Sequence, residues 1–206
     1  MRGLLLCSIA VSLTSFASAA QVVGQGTGPS TQGAETPGQS FALQDDGTSL
    51  GGNPAGLGFL GGLELDFLHN GYLGTGPADA NALYLTGGTG HLALGLGLDW
   101  LNNYTACTPA VSPAGPTPCS YRRTSVGGAL RLGELSIGAV HRWFSGDSFL
   151  DSAWDFGALV RPVRWLSLGG AVLDATRPAD LRRWVASAAV RPWREHIDLA
   201  VDLRWG

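Results

Sequence analysis

Between His91 and Leu101 the chain reads His-Leu-Ala-Leu-Gly-Leu-Gly-Leu-Asp-Trp-Leu, and this alternation limits the available folds more than any other stretch. In an extended strand Leu92, Leu94, Leu96, Leu98 and Trp100 share one face, while His91, Ala93, Gly95, Gly97 and Asp99 share the other. A half-buried strand of a water-soluble sheet alternates too, but it turns a charged face to water. Here the second face is small and ends in a single carboxylate, and the apolar face runs unbroken for about the depth of a bilayer. The pattern predicts a membrane-crossing β-strand with its leucines toward lipid.

The pattern recurs. Leu63, Leu65 and Phe67 alternate with Glu64 and Asp66 over 62–69, and a weaker strand holds Leu83, Tyr84 and Leu85. After a Pro-rich connection, 121–132 sets Val126, Leu130 and Leu132 against Arg123, Ser125 and Arg131. Strands follow at 134–144 (Leu135, Ile137, Ala139 and Trp143 in phase, with His141 out of character), 152–161, 165–173, 182–191 and 196–205. The last is the cleanest: Ile197, Leu199, Val201, Leu203 and Trp205 face His196, Asp198, Ala200, Asp202 and Arg204. Tight turns such as Arg161-Pro-Val-Arg164 and Pro192-Trp-Arg-Glu195 alternate with longer loops, as in outer-membrane barrels. All seven tryptophans fall at strand ends, where an indole sits half in hydrocarbon with its N–H toward water. Trp100, Trp143, Trp154, Trp184 and Trp205 mark one interface, Trp165 and Trp193 the other.

The first residues read as an export signal. Arg2 precedes an apolar run from Leu4 to Leu13, and Ala17-Ser18-Ala19 offers a cleavage site before Gln21. The run is too short for a spanning helix, and Cys7 lies inside it, the wrong place for a lipidation site. Residues 21–40 are Gly, Thr, Ser, Gln and Pro with almost no large apolar side chain, which predicts a flexible lead-in. Charged residues make up 14 % of the chain without a basic excess, so no nucleic-acid partner is expected. The chain has no lysine, no nucleophile motif and no metal-ligand spacing. Neither enzymatic activity nor a cofactor is therefore expected.

Asp45 and Asp46 fall short of a calcium ligand set and read instead as a cap or turn. With its short spacer, the run Ala42-Leu-Gln-Asp-Asp followed by Asn53-Pro54-Ala55-Gly56-Leu57 resembles the start of FadL-type outer-membrane proteins. A similar barrel resembles the region preceding the protease in some signal peptide peptidase A-type proteins, although nothing here resembles the protease itself. The FadL resemblance implies that residues 41–60 fold into the barrel lumen before the first strand. It also implies passive passage of small hydrophobic molecules, or a structural outer-membrane role. Gly95 and Gly97 would then leave room for Asn53 and Pro54.

The expected fold is thus an all-β antiparallel transmembrane β-barrel. A signal peptide (1–20), a lead-in (21–40) and a lumenal segment (41–60) precede barrel strands in 61–206. About eight or nine strands are present, and an odd count suggests either that the weak second strand is false or that the barrel is the first part of a larger one. Lumen-facing candidates are Glu64, Asp66, Asp99, Arg123, Arg131, Asp155, Arg183, Asp198, Asp202 and Arg204, with Asp198 and Asp202 expected to pair with Arg183 and Arg191. Arg161, Arg164, Arg191 and Arg194 at the inner turns read as headgroup anchors. Cys107 and Cys119 share one Pro-rich loop; in an oxidising compartment they would form a disulfide worth about 3 kcal/mol, the alternative being free thiols. Expected partners are the lipid bilayer, the barrel-assembly machinery and a small hydrophobic ligand. The competing readings are the N-terminal barrel portion of a signal peptide peptidase A-type protein lacking its protease domain, as that resemblance implies, and a soluble exported β-sandwich serving as a binding module.

Overall fold

The computed structural model describes residues 40–70, 79–104, 119–146, 149–192 and 197–206. Alternation becomes extended backbone throughout. The strands are β1 (Gly61–Asn70), β2 (Asp79–Thr89), β3 (Leu92–Tyr104), β4 (Cys119–Leu132), β5 (Leu135–Gly146), β6 (Phe149–Val163), β7 (Leu166–Leu173), β8 (Arg183–Val190) and β9 (Leu199–Trp205). They form one antiparallel sheet in chain order, each strand bonded to the next. The weak stretch around Leu83 is a full strand: β2 pairs with β1 from Asn70–Ala80 to Gly61–Thr89 and with β3 on its other side. Its small residues did not advertise it, but they suit a strand whose inner face is covered.

The register keeps the two faces apart. Leu83 lies opposite Leu98, Leu85 opposite Leu96, Leu96 opposite Val126, and Ile137 opposite Ala158, all pointing outward. Gly133 adopts a φ of 64°, so a two-residue turn joins β4 to β5 with Leu132 opposite Leu135. Where β6 meets β7 the register shifts between Val160 and Val163, around Pro162, which has no N–H to give the ladder. Several ends differ from the sequence reading: β3 runs on to Tyr104, β6 starts at Phe149, and β9 begins only at Leu199.

Two expectations need correcting. The sheet is not a closed barrel, because the order ends at β1 and β9 and the two edges do not pair among the described residues. It is also a single sheet, not the pair of sheets a β-sandwich requires. What occupies its inner face is the preceding chain, residues 40–60, with two short 3₁₀ turns at Gly47–Leu50 and Pro54–Phe59. Pro54 at the start of the second turn has a pre-set φ, and Asn53 caps it by accepting a hydrogen bond from the Ala55 N–H.

The core lies between this segment and the sheet. Leu50 and Leu57 pack with Ala82, Tyr84, Ala93, Ala129, Val140 and Phe144. Ala42, Leu43 and Ala55 meet Leu159 and Ala189, and Phe41 meets Ala171, Leu173 and Val185. Each apolar cluster is thus seeded by a side chain from 40–60. The outer face is left bare: Leu63, Leu65 and Phe67 on β1 and Leu199, Val201 and Leu203 on β9 are all exposed.

Candidate functional site

The inner face combines three things: inserted backbone, strand glycines that make room for it, and charged side chains that satisfy it. Gly138 and Gly157 lie opposite each other on β5 and β6. A Cβ on Gly138 would lie 2.5 Å from the Pro54 carbonyl carbon, and one on Gly157 would lie 2.0 Å from Asn53 Oδ1. Asn53 and Pro54 therefore sit against β5 and β6, not β3. Gly95 instead makes room for Leu50, whose Cδ1 would be 2.7 Å from a Cβ there, and Gly97 makes room for the ring of Tyr84. The expectation that both glycines make room for Asn53 and Pro54 is thus corrected: Gly95 does face the inserted segment, through Leu50, whereas Gly97 receives a side chain of β2.

Asn53 is wholly buried and fully used. Its amide donates to Phe41 O at 3.1 Å and to Ala158 O on β6 at 3.3 Å, and its backbone N–H donates to Gln44 Oε1 at 2.7 Å. Ala55, Gly56 and Leu57 of the same motif are buried as well. Buried backbone must be hydrogen-bonded, and here the sheet supplies the partners. The Ser136 hydroxyl donates to Ala55 O and the Ser167 hydroxyl to Ala42 O, each at 2.6 Å, while Arg142 donates to Leu50 O at 2.9 Å. At the two edges carboxylates accept from the segment: Glu64 from the Gly47 N–H at 3.0 Å, and Asp202 from the Ser40 hydroxyl at 2.6 Å and the Phe41 N–H at 3.4 Å. The inserted segment is bonded to both edge strands of the sheet.

Two charge centres flank it. Asp99 and Arg123 lie directly opposite on β3 and β4 and form a bidentate pair, Nε to Oδ2 at 3.0 Å and Nη2 to Oδ1 at 2.8 Å, with the Tyr84 hydroxyl also donating to Asp99. Arg142 pairs with Asp155, which also accepts the Asp174 N–H at 2.7 Å. All four of these charged side chains are buried. Beyond β7, Asp174 stands in the left-handed region at a φ of 57°, tolerated by aspartate. Burial, and then the Asp155 carboxylate, push its carboxyl above the usual aspartate range, opposed by Arg183, Arg142 and Arg177.

The remaining candidates are distributed more loosely. Glu64 and Asp66 point inward beneath Gly47, and Arg131 lies over the Phe59 ring. Arg183 pairs with Asp174 at 3.6 Å and not with Asp202, which is a correction; Asp202 lies 3.6 Å from Arg204 on its own strand. Asp198 precedes β9, is exposed, and meets Arg191 at 3.3 Å as expected. Arg204 lies over the Phe41 ring and is half exposed. Asp46 caps the first 3₁₀ turn while Asp45 pairs with Arg161, so the adjacent carboxylates turn to different partners. Arg161 and Arg191 both reach Asp45, at 3.0 and 3.7 Å.

Trp143, Trp154, Trp184 and Trp205 lie exposed on the outer face toward the end of the sheet opposite the β4–β5 and β6–β7 turns, with Trp100 in the same phase, and Trp165 sits in the β6–β7 turn itself. His141 fits among them, its ring 4.2 Å from that of Trp143 and 4.7 Å from that of Trp154. Trp193 and Cys107 lie outside the described residues, and with Cys107 the expected disulfide to Cys119. Arg142 was missed as a site residue, yet the β5 phase that sends Ile137 and Trp143 outward sends it inward. Asp174 and Arg177 are loop residues without such a phase. No protein family, curated protein or solved structure matches the chain.

Proposed function

We propose that in an outer membrane this sheet closes into a β-barrel whose lumen is filled by its own residues 40–60, with a structural role in that membrane. The observation that carries the reading is the outer face: leucine, valine, isoleucine and phenylalanine from β1 to β9, bounded by tryptophans toward one end and Trp165 at the other. Water-soluble monomers rarely leave an apolar surface this continuous. Each outward leucine or phenylalanine moved from water into hydrocarbon gains roughly 1.5–3 kcal/mol. Export through the N-terminal signal and insertion by the barrel-assembly machinery complete the proposal.

Hydrocarbon does not tolerate unpaired backbone, so β1 and β9 must be met in a bilayer, by each other or by further strands. Their inner faces already share the inserted segment, which favours an arrangement that keeps them near one another. Passage of a small hydrophobic molecule, the role implied by the resemblance to FadL-type proteins, would require residues 40–60 to leave their seat. Their tight fit against Gly138 and Gly157 favours the structural role.

The test is insertion of the full chain into phosphatidylcholine vesicles, with bromine placed at different depths along the lipid tails. Tryptophan fluorescence should be quenched most strongly by bromines near the headgroups, and the folded chain should migrate differently on gels before and after boiling. Recovery as a soluble monomer with unquenched fluorescence would overturn the proposal.

A further inference from the structure

A cavity of about 300 Å³ opens at the short-turn end of the sheet, apart from the buried charge centres. Four arginines line it: Arg131 near the end of β4, Arg161 in β6, Arg164 in the β6–β7 turn, and Arg191 after β8. The guanidinium carbons of Arg131 and Arg161 lie 4.5 and 4.2 Å from the centre of the Phe59 ring, which holds both in place. Asp45 lies 3.0 Å from Arg161 and 3.7 Å from Arg191, and Asp198 lies 3.3 Å from Arg191. Among the described residues Arg131 and Arg164 have no ion pair, and Arg161 Nη2 is buried without a hydrogen-bond acceptor. Glu134 is the one acidic side chain in the lining, and Trp165 supplies an apolar wall.

A buried donor without an acceptor costs free energy that a bound oxyanion would recover. The arginines come from different strands and turns and therefore approach from different directions. A planar carboxylate satisfies one guanidinium fork well, whereas a tetrahedral phosphoryl group offers oxygens to several. The volume is at the lower end for ligand pockets, suited to a phosphate group with a few carbons.

We propose that this cavity binds a phosphate ester, its oxygens held by Arg131, Arg161 and Arg164 and its carbon skeleton packed on Trp165. The phosphate comes either from a membrane phospholipid headgroup or from a soluble phosphomonoester. Only the lipid source rests on the outer-membrane reading.

The full chain, folded in uncharged detergent micelles, is titrated calorimetrically with inorganic phosphate and with dihexanoyl phosphatidic acid, against chloride of equal ionic strength. Saturable binding is expected, weakened at least tenfold by Arg164→Gln or Arg131→Gln and unchanged by Arg122→Gln on the exposed outer face of β4. Glycerol 3-phosphate is titrated alongside: phosphatidic acid binding at least tenfold tighter than both identifies a headgroup site, and equal binding of the two esters, each tighter than phosphate, identifies a soluble phosphomonoester site. Equal binding of all three overturns the packing of a carbon skeleton on Trp165. Absence of saturable binding, or binding indifferent to both cavity variants, overturns the proposal. If the chain stays soluble without detergent, the membrane reading fails, and the same phosphate titration in buffer decides the cavity separately.

Discussion

A methyl group marks the difference between the two faces of this sheet. On the inner face a Cβ at Gly157 would run into Asn53 and Pro54, whereas at outward Gly87 its nearest neighbour is Leu63 Cδ1 at 3.5 Å, an ordinary contact. Gly157→Val should lower stability by about 1–3 kcal/mol or more, through overpacking against the Pro54 ring and an Asn53 amide held by its own hydrogen bonds. Gly87→Val should change it by less than about 0.5 kcal/mol. Urea unfolding of both variants in micelles checks this, and equal losses would mean that the two faces are wrongly assigned. Asp174 gives a second test at this scale. Because its carboxyl titrates above the usual aspartate value, the folded chain holds a proton that the unfolded chain has released. Its ionisation therefore weakens the fold, and stability rises as pH falls through the raised value toward ~4, the ordinary value. Asp174→Asn keeps a residue suited to positive φ and removes the titration. The wild-type unfolding midpoint should climb relative to that of the variant between neutral pH and about 4. A constant gap would show that Asp174 is not the group responsible.

Among the elements, β5 and β6 do the most to seat the inserted segment: they carry Gly138 and Gly157, the Ser136 hydroxyl, and the Arg142–Asp155 pair beside Leu50. Arg142→Met leaves a buried carboxylate with no countercharge and removes the donor to Leu50 O, at a cost of about 3–5 kcal/mol. Adding Asp155→Leu should restore much of that loss, since the pair itself carries a desolvation penalty. A double variant no more stable than Arg142→Met would show that the hydrogen bonds to Leu50 and Asp174 matter more than the charges. The strands themselves were readable from period-two alternation wherever the outward residues were large. β2 was nearly lost because Ala80, Ala82, Gly87 and Gly88 are small, and small residues carry little pattern even where packing demands them. The inward phase of Asp99 and Arg123 was legible and their direct opposition was not, since register depends on turns and bulges at a distance.

At the level of the whole molecule, residues 40–60 hold β9 through Asp202 and β1 through Glu64. If they plug a closed lumen, the wild-type chain in a planar bilayer should conduct no steady current. Asp202→Ala combined with Glu64→Ala, which releases both edge contacts, should give intermittent openings. Steady wild-type conductance at the level of an open pore would mean that the segment is not a plug. The alternation of large apolar residues with small or charged ones followed from the sequence by itself, because side-chain direction along a strand is set by local geometry. So did the tryptophan placement and the special character of Asn53-Pro54. What occupies the inner face, and through which glycines, was decided only in the tertiary structure. So were the lack of pairing between β1 and β9 among the described residues and the gathering of four arginines around the cavity beside Phe59. These depend on which distant strands a compact segment touches, and local alternation carries no information about that distance.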